Sequence, residues 1–214
     1  MPKLALLLLL TSTISFATSN TNTFIDSLLP KIRSANSEIL AQREFLLNNK
    51  FSTDQDRVAT INSIASKYKV KKWQITSPKA WDRLLSKVNA WPESLVLAQA
   101  ILESGFGKSR FATKANNLFG IWCFSKGCGI VPLQRSANAL HEIRKFASVQ
   151  EGIEFHLYNL NTHPAYKKLR ASRNKMLSSI ELCKDLHQYS AQGSQYAINL
   201  AKLINKYNLQ KWDI

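Results

Sequence analysis

Apolar positions recur at helical spacing through most of the chain. Between residues 22 and 49, Phe24, Ile25, Leu28 and Leu29, then Ile39, Leu40 and Leu46, mark an amphipathic helical arm, and Pro30 interrupts the pattern at a point where the helix can split. Thr53 with Asp56 offers a cap for a second helix that carries Val58, Ile61, Ile64, Ala65 and Tyr68 on one face. Ser77-Pro78 starts a third helix, with Ala80, Trp81, Leu84, Leu85 and Val88 in register. Pro92 opens a fourth, which is apolar nearly all round through Leu95, Val96, Ala98, Ala100, Ile101 and Leu102. A helix of that kind belongs in the middle of a domain. Gly105 and Gly107 terminate it, which leaves Glu103 on the last turn of a buried helix. Over residues 117–147 the pattern changes: Phe, Ile, Trp and Val alternate with Gly and Pro, as short strands and turns require. Helices then return, with Ser148/Glu151 and Ser178/Glu181 as capping boxes and a last helix from about Ser194 to Tyr207. The sum is an α+β, mostly helical domain with a small β-lobe.

The extreme N-terminus has a different character. Lys3 precedes an apolar run from Leu4 to Leu10, and Ser15 and Ala17 supply the small residues of a cleavage site. This predicts a signal peptide over residues 1–17, and an exported, periplasmic or secreted protein. A retained anchor is the rival, but the run is short for a bilayer and no later segment reads as transmembrane, so stable membrane insertion is not expected.

The formal net charge of +15 changes the picture in one respect. Such a charge seeks an anionic polymer. Nucleic acid is one candidate, but for an exported chain the cell wall or a membrane surface fits better, and solubility alone also accounts for it. The basic residues are spread along the chain with no stripe or tail, so nucleic acid is not expected as the partner.

Cys123 and Cys128 lie close together beside Gly127 and Gly129, a spacing that suits a small disulfide loop in an oxidising compartment. Zinc with His141 is the rival, and no convincing fourth ligand accompanies it, so no metal or other cofactor is expected. Cys183, among Ile180, Leu182 and Leu186, reads as a buried small apolar residue.

Glu103 stands out chemically. A carboxylate at the C-terminal end of an apolar helix is disfavoured by the helix dipole and by desolvation, and both keep its proton on. A protonated acid near neutral pH is what glycosidic cleavage needs; a solvated, outward Glu is the equal alternative. Glu142 follows on the β-lobe, and glycosidases commonly use a second carboxylate. Strand alternation puts Glu142, Arg144 and Phe146 on one face, where Glu142 also suits a surface pair with Arg144. Trp91, Phe106, Phe119, Trp122 and Phe124 cluster near these acids, as sugar-stacking rings or as core. Tyr189 and Tyr196 flank a polar turn, with the same two readings open.

The block LVLAQAILESGFGKSRFATKANNLFGIW closely resembles the core of glycoside hydrolase family 73, the bacterial N-acetylglucosaminidases. NNLFGIWCFSKGCGIVP, HEIRKF, YNLNTHPAYKKLR and YSAQGSQYAINL carry the likeness toward the Bax-type subgroup, over roughly residues 58–210. The resemblance implies a lysozyme-like domain over residues 58–214, after a helical extension over 18–57. It implies hydrolysis of the β-1,4 bond between N-acetylglucosamine and N-acetylmuramic acid in peptidoglycan, with no cofactor. Glu103 matches the family's general acid and Glu142 its second carboxylate. Tyr189 matches the first Tyr of a Tyr-Ala-Thr-Asp motif that reads Tyr-Ser-Ala-Gln here, so the motif's Asp is absent. Asn117, Phe119, Trp122 and Tyr196 fall where substrate is expected. A lytic transglycosylase and a non-catalytic wall-binding module are the rival functions.

Overall fold

The structure is a computed structural model, describing residues 6–136, 138–187, 189 and 192–213, and side chains from residue 22 onward. Residues 1–5 of the expected leader lie outside it.

The longest element, α1 (Leu6–Asn48), runs unbroken through Pro30. The split at Pro30 does not occur because the proline is on the exposed side, where the missing amide bond is open to water. Ile25, Leu28, Leu29, Ile32, Ala35, Ile39 and Leu46 hold the other side in the core, while Leu40 is exposed. The arm is thus part of the main core rather than a separate extension. The expected boundary between residues 57 and 58 falls inside α2 (Gln55–Lys67). Asp54, not Thr53, caps α2, its carboxylate accepting from the Arg57 amide at 2.9 Å. Ile61, Ile64, Ala65 and Tyr68 form the buried face.

Ser77 caps α3 (Pro78–Lys87) through the Ala80 amide. Next, α4 (Glu93–Ser104) is the centre of the molecule: Leu95 to Ala100 are fully buried, and α1, α8 (Ser179–Cys183) and α9 (Ser194–Lys206) pack around it. A short α5 (Arg110–Ala115) leads into the β-lobe. There, β1 (Trp122–Cys123) and β2 (Gly129–Ile130) flank β3 (Glu142–Arg144), all antiparallel. Trp122 faces Ile143 in one ladder and Ile130 faces Ile143 in the other. Then α6 (Val149–Thr162) and α7 (Lys167–Asn174) return the chain to the helical side. Ser178 forms a full capping box with Glu181, whereas Glu151 bonds the Ala147 amide instead of its cap's own. Among the described residues no helix is long and apolar enough to cross a membrane.

Strands this short hold register only through close backbone approach. A Cβ on Gly129 would stand 1.9 Å from the Ile143 carbonyl oxygen. Gly129→Ala is therefore expected to break the β2–β3 pairing and cost on the order of 2 kcal/mol. A drop in the thermal midpoint with lost protection of β-lobe amides is the expected reading; an unchanged melt would refute it.

Candidate active site

Glu103 owes its place to the way α4 ends. Gly105, Phe106 and Gly107 all have positive φ, at 57°, 58° and 75°, so the chain reverses at once. Ser104 staples the turn: its hydroxyl donates to the Ala100 carbonyl at 2.6 Å and accepts from the Gly107 amide at 2.7 Å. Phe106 lies edge-on to Phe24 of α1 and to Tyr207, at 6.0 and 5.7 Å. Phe24 also closes over Gly107, where a Cβ would meet its ring at 2.8 Å.

The Glu103 carboxyl is half-buried. Burial raises its pKa above the ordinary carboxylate value, and a hydrogen bond from the Tyr196 hydroxyl partly opposes the rise. Its Oε2 faces the backbone of Gly120, 3.7 Å from where a Cβ would sit.

In front of Glu103 lies a groove of about 660 Å³. Phe119, Gly120, Ile121, Trp122 and Phe124 form the β-lobe wall; Phe155, Asn159, His163, Tyr166 and Tyr189 form the opposite one. Trp122 and Phe124 are 54% and 71% exposed, too open to be core and suited to stacking on sugar faces. Trp122 is itself stacked on His141 at 3.9 Å.

Other expected site residues land elsewhere. Asn117 is 2% exposed, and its amide is spent on backbone: Nδ2 donates to the Ile121 and Arg144 carbonyls, and Oδ1 accepts from the Phe119 and Ile121 amides. It braces the groove wall and has no capacity left for a sugar. Tyr196 is 1% exposed and reaches Glu103, not the groove. Phe119 lines the groove but is almost wholly buried, stacked on His156 at 3.9 Å. Tyr189 does reach the groove, and its hydroxyl donates to the Phe119 carbonyl at 2.9 Å.

Glu142 is not among the groove-lining residues. Its two carboxylate oxygens accept from the Gly127 and Gly129 amides at 3.0 and 2.8 Å, and these bonds hold its pKa below the ordinary value. The alternative surface pair with Arg144 does not form either; the Arg144 guanidinium lies over Phe155. Cys123 and Cys128 are joined as a disulfide around the same turn. With both sulfurs bonded to each other they are not thiolate ligands for zinc. Cys183 is free and buried, its thiol pushed up to about 12 by desolvation.

Sequence reading passes over two residues behind the acid. Gln99 is fully buried one turn before Glu103 on α4, and its Oε1 lies 3.0 Å from His156 Nε2. The available signal was a single amide in an otherwise apolar helix, four positions from the acid.

A half-buried acid of raised pKa, facing an aromatic groove beside a small β-lobe, is an arrangement suited to glycosidic bond cleavage. Residues 78–209 match the Glucosaminidase family, described as mannosyl-glycoprotein endo-beta-N-acetylglucosaminidase, and the chain belongs to that family. It is 33% identical to protein Bax of Escherichia coli (strain K12) over 181 residues, covering 81% of this chain and 64% of Bax. It is 28% identical to the exo-glucosaminidase LytG of Bacillus subtilis (strain 168) over 138 residues, 61% of this chain and 49% of LytG. The chain thus spans from about half to just under two thirds of these relatives' lengths. Its fold is similar to the catalytic domain of the autolysin Auto from Listeria monocytogenes, with a TM-score of 0.53 at 20% identity and full coverage of both chains.

Proposed function

We propose that the protein is an exported peptidoglycan hydrolase that cuts the β-1,4 bond between N-acetylglucosamine and N-acetylmuramic acid. The observation that carries this reading is Glu103. It is the single acid among the described residues lining the groove, and burial raises its pKa above the ordinary carboxylate value. Residues 1–17 serve as the leader, and the net charge of +15 draws the enzyme to the anionic wall.

Glu103 donates its proton to the glycosidic oxygen as the bond to the sugar's C1 breaks. Positive charge then develops at C1. The engagement of both Glu142 oxygens by backbone amides favours neighbouring-group attack by the substrate's own acetamido oxygen, with Tyr189 beside it in the groove. Water then attacks C1, returning one proton to Glu103 and opening the ring formed by the acetamido group. The second reading has Glu142 as the base that activates water, which requires the carboxylate to leave its two amides.

Glu142→Gln separates the two. Under the favoured route the turnover rate stays within about threefold of wild type and the melting temperature falls, because one amide bond to the side chain is lost. A loss of about a hundredfold or more in turnover would assign Glu142 the base role. The function itself is tested by digesting purified peptidoglycan, reducing the products and reading their ends by mass spectrometry. Reduced N-acetylglucosamine ends are expected. Reduced muramic ends would move the bond, anhydro-muramic ends would make the enzyme a transglycosylase, and binding without fragments would make it a wall-binding module.

A further inference from the structure

Behind the acid runs a file of buried polar side chains that the reaction above does not use. His156, from α6, is fully buried, its ring lying flat against Phe119 at 3.9 Å and edge-on to Tyr189 at 5.9 Å. Its Nε2 is 3.0 Å from Gln99 Oε1. The other face of the same amide, Gln99 Nε2, donates to the Tyr196 hydroxyl oxygen at 3.4 Å. The Tyr196 hydroxyl lies close enough to the Glu103 carboxyl to lower its pKa as a hydrogen-bond donor. His156, Gln99 and Tyr196, from α6, α4 and α9, thus form one hydrogen-bonded chain, and its Tyr196 end lies against the acid.

The direction of such a chain is not free. An amide presents oxygen on one side and N–H on the other, so what faces one end fixes what faces the other. His156 is neutral, burial lowering its pKa to about 3. Its Nδ1 has no partner among the described residues. A neutral imidazole carries one proton, and only on Nε2 does it meet an acceptor. That proton holds Gln99 oxygen-first toward His156 and nitrogen-first toward Tyr196. The Tyr196 oxygen is then an acceptor from Gln99, which leaves its own proton for Glu103.

We propose that His156 is a positioning residue for the acid: it sets the direction of the chain His156–Gln99–Tyr196–Glu103, so that the acid's proton stays on the carboxyl oxygen Tyr196 does not touch. Reversed, the chain has Tyr196 donating to Gln99, and Glu103 turns its proton inward to the Tyr196 oxygen instead of to the substrate. This inference rests on Glu103 being the acid. The other titratable side chains around Glu103 are Tyr166 and Tyr189, with His163 along the groove; none of these lies in the chain.

The test begins with the full wild-type chain, ¹⁵N-labelled at histidine. The imidazole nitrogen shifts are expected to show an Nε2–H tautomer for His156 that stays neutral from about pH 5 to about pH 8. An Nδ1–H tautomer, or titration in that range, overturns the proposal without any substitution. Kinetics on soluble glycan fragments then compare His156→Phe, which keeps the stacked ring and loses the donor, with His156→Gln, which restores an N–H. His156→Phe is expected to lower kcat about tenfold with KM unchanged. Losing the Tyr196 donor also moves the alkaline limb of the pH–rate profile upward, because the carboxylate is less stabilised. His156→Gln is expected to recover most of both. An unchanged limb in folded His156→Phe, or equal damage in both variants, overturns the proposal. If His156→Phe does not fold, the wild-type tautomer decides. Full turnover by Glu103→Gln would sink the assignment of the acid, while the tautomer spectrum would still report the direction of the chain.

Discussion

Glu103→Gln is expected to lower turnover on purified peptidoglycan by about a thousandfold while leaving wall binding intact. General acid catalysis is worth roughly a hundred to ten thousand times in rate, and no other acid among the described groove-lining residues is in place to substitute. Gln still accepts the Tyr196 hydroxyl, so the turn after α4 and the groove shape are kept. The same substitution has a stability signature with a definite sign. Burial raises the Glu103 carboxyl, so the folded state holds the proton more tightly than the unfolded chain. That contribution is whole below the unfolded carboxyl's pKa and is lost as pH rises through the folded one. Gln does not titrate. The melting temperature of Glu103→Gln relative to wild type is therefore expected to climb as pH rises through the range in which the carboxyl titrates. Parallel melting curves across that range would mean that the acid is solvated and the groove reading of Glu103 is wrong.

Asn117→Ala is expected to destabilise the protein by on the order of 3 kcal/mol, because the Phe119 and Ile121 amides and the Arg144 carbonyl lose this partner, while the Ile121 carbonyl keeps the Arg144 amide, and each buried orphan costs about 1–3 kcal/mol. Activity falls with it, since Gly120, which faces the Glu103 carboxyl, belongs to the segment that Asn117 braces. Chemical denaturation and residual turnover, measured on the same sample, check both effects. A fully stable variant that loses only substrate affinity would return Asn117 to the sugar-binding role its position first suggested.

Local pattern carried the helical frame of this fold and the place of its acid. The apolar run from Leu95 to Leu102, stopped by Gly105, put Glu103 on the last turn of a buried helix, where the structure has it. Ser77, Ser148 and Ser178 marked three helix starts because a cap is a contact three residues long. The Cys123–Cys128 bridge was legible for the same reason. What failed is what local periodicity does not encode. Alternation offered Glu142 a same-face neighbour in Arg144 but not its actual partners, which are amides 15 and 13 residues away. Asn117 and Tyr196 looked like polar groups waiting for a sugar, yet each is committed inside the protein. Gln99 and His156 lie 57 residues apart, so only the packing of α4 against α6 reveals them as a pair.

The ring of Phe24 over Gly107 bears on where this protein ends as a physical object. The family match begins at residue 78, and a fragment cut there keeps every residue that lines the groove. It discards α1, and so bares a trough where Ile25, Leu28, Leu29, Ile32 and Ile39 had lain, and uncovers the turn that carries the acid. The family match and the hydrophobic core draw different borders on this chain, and the turn that carries the acid packs within the larger one.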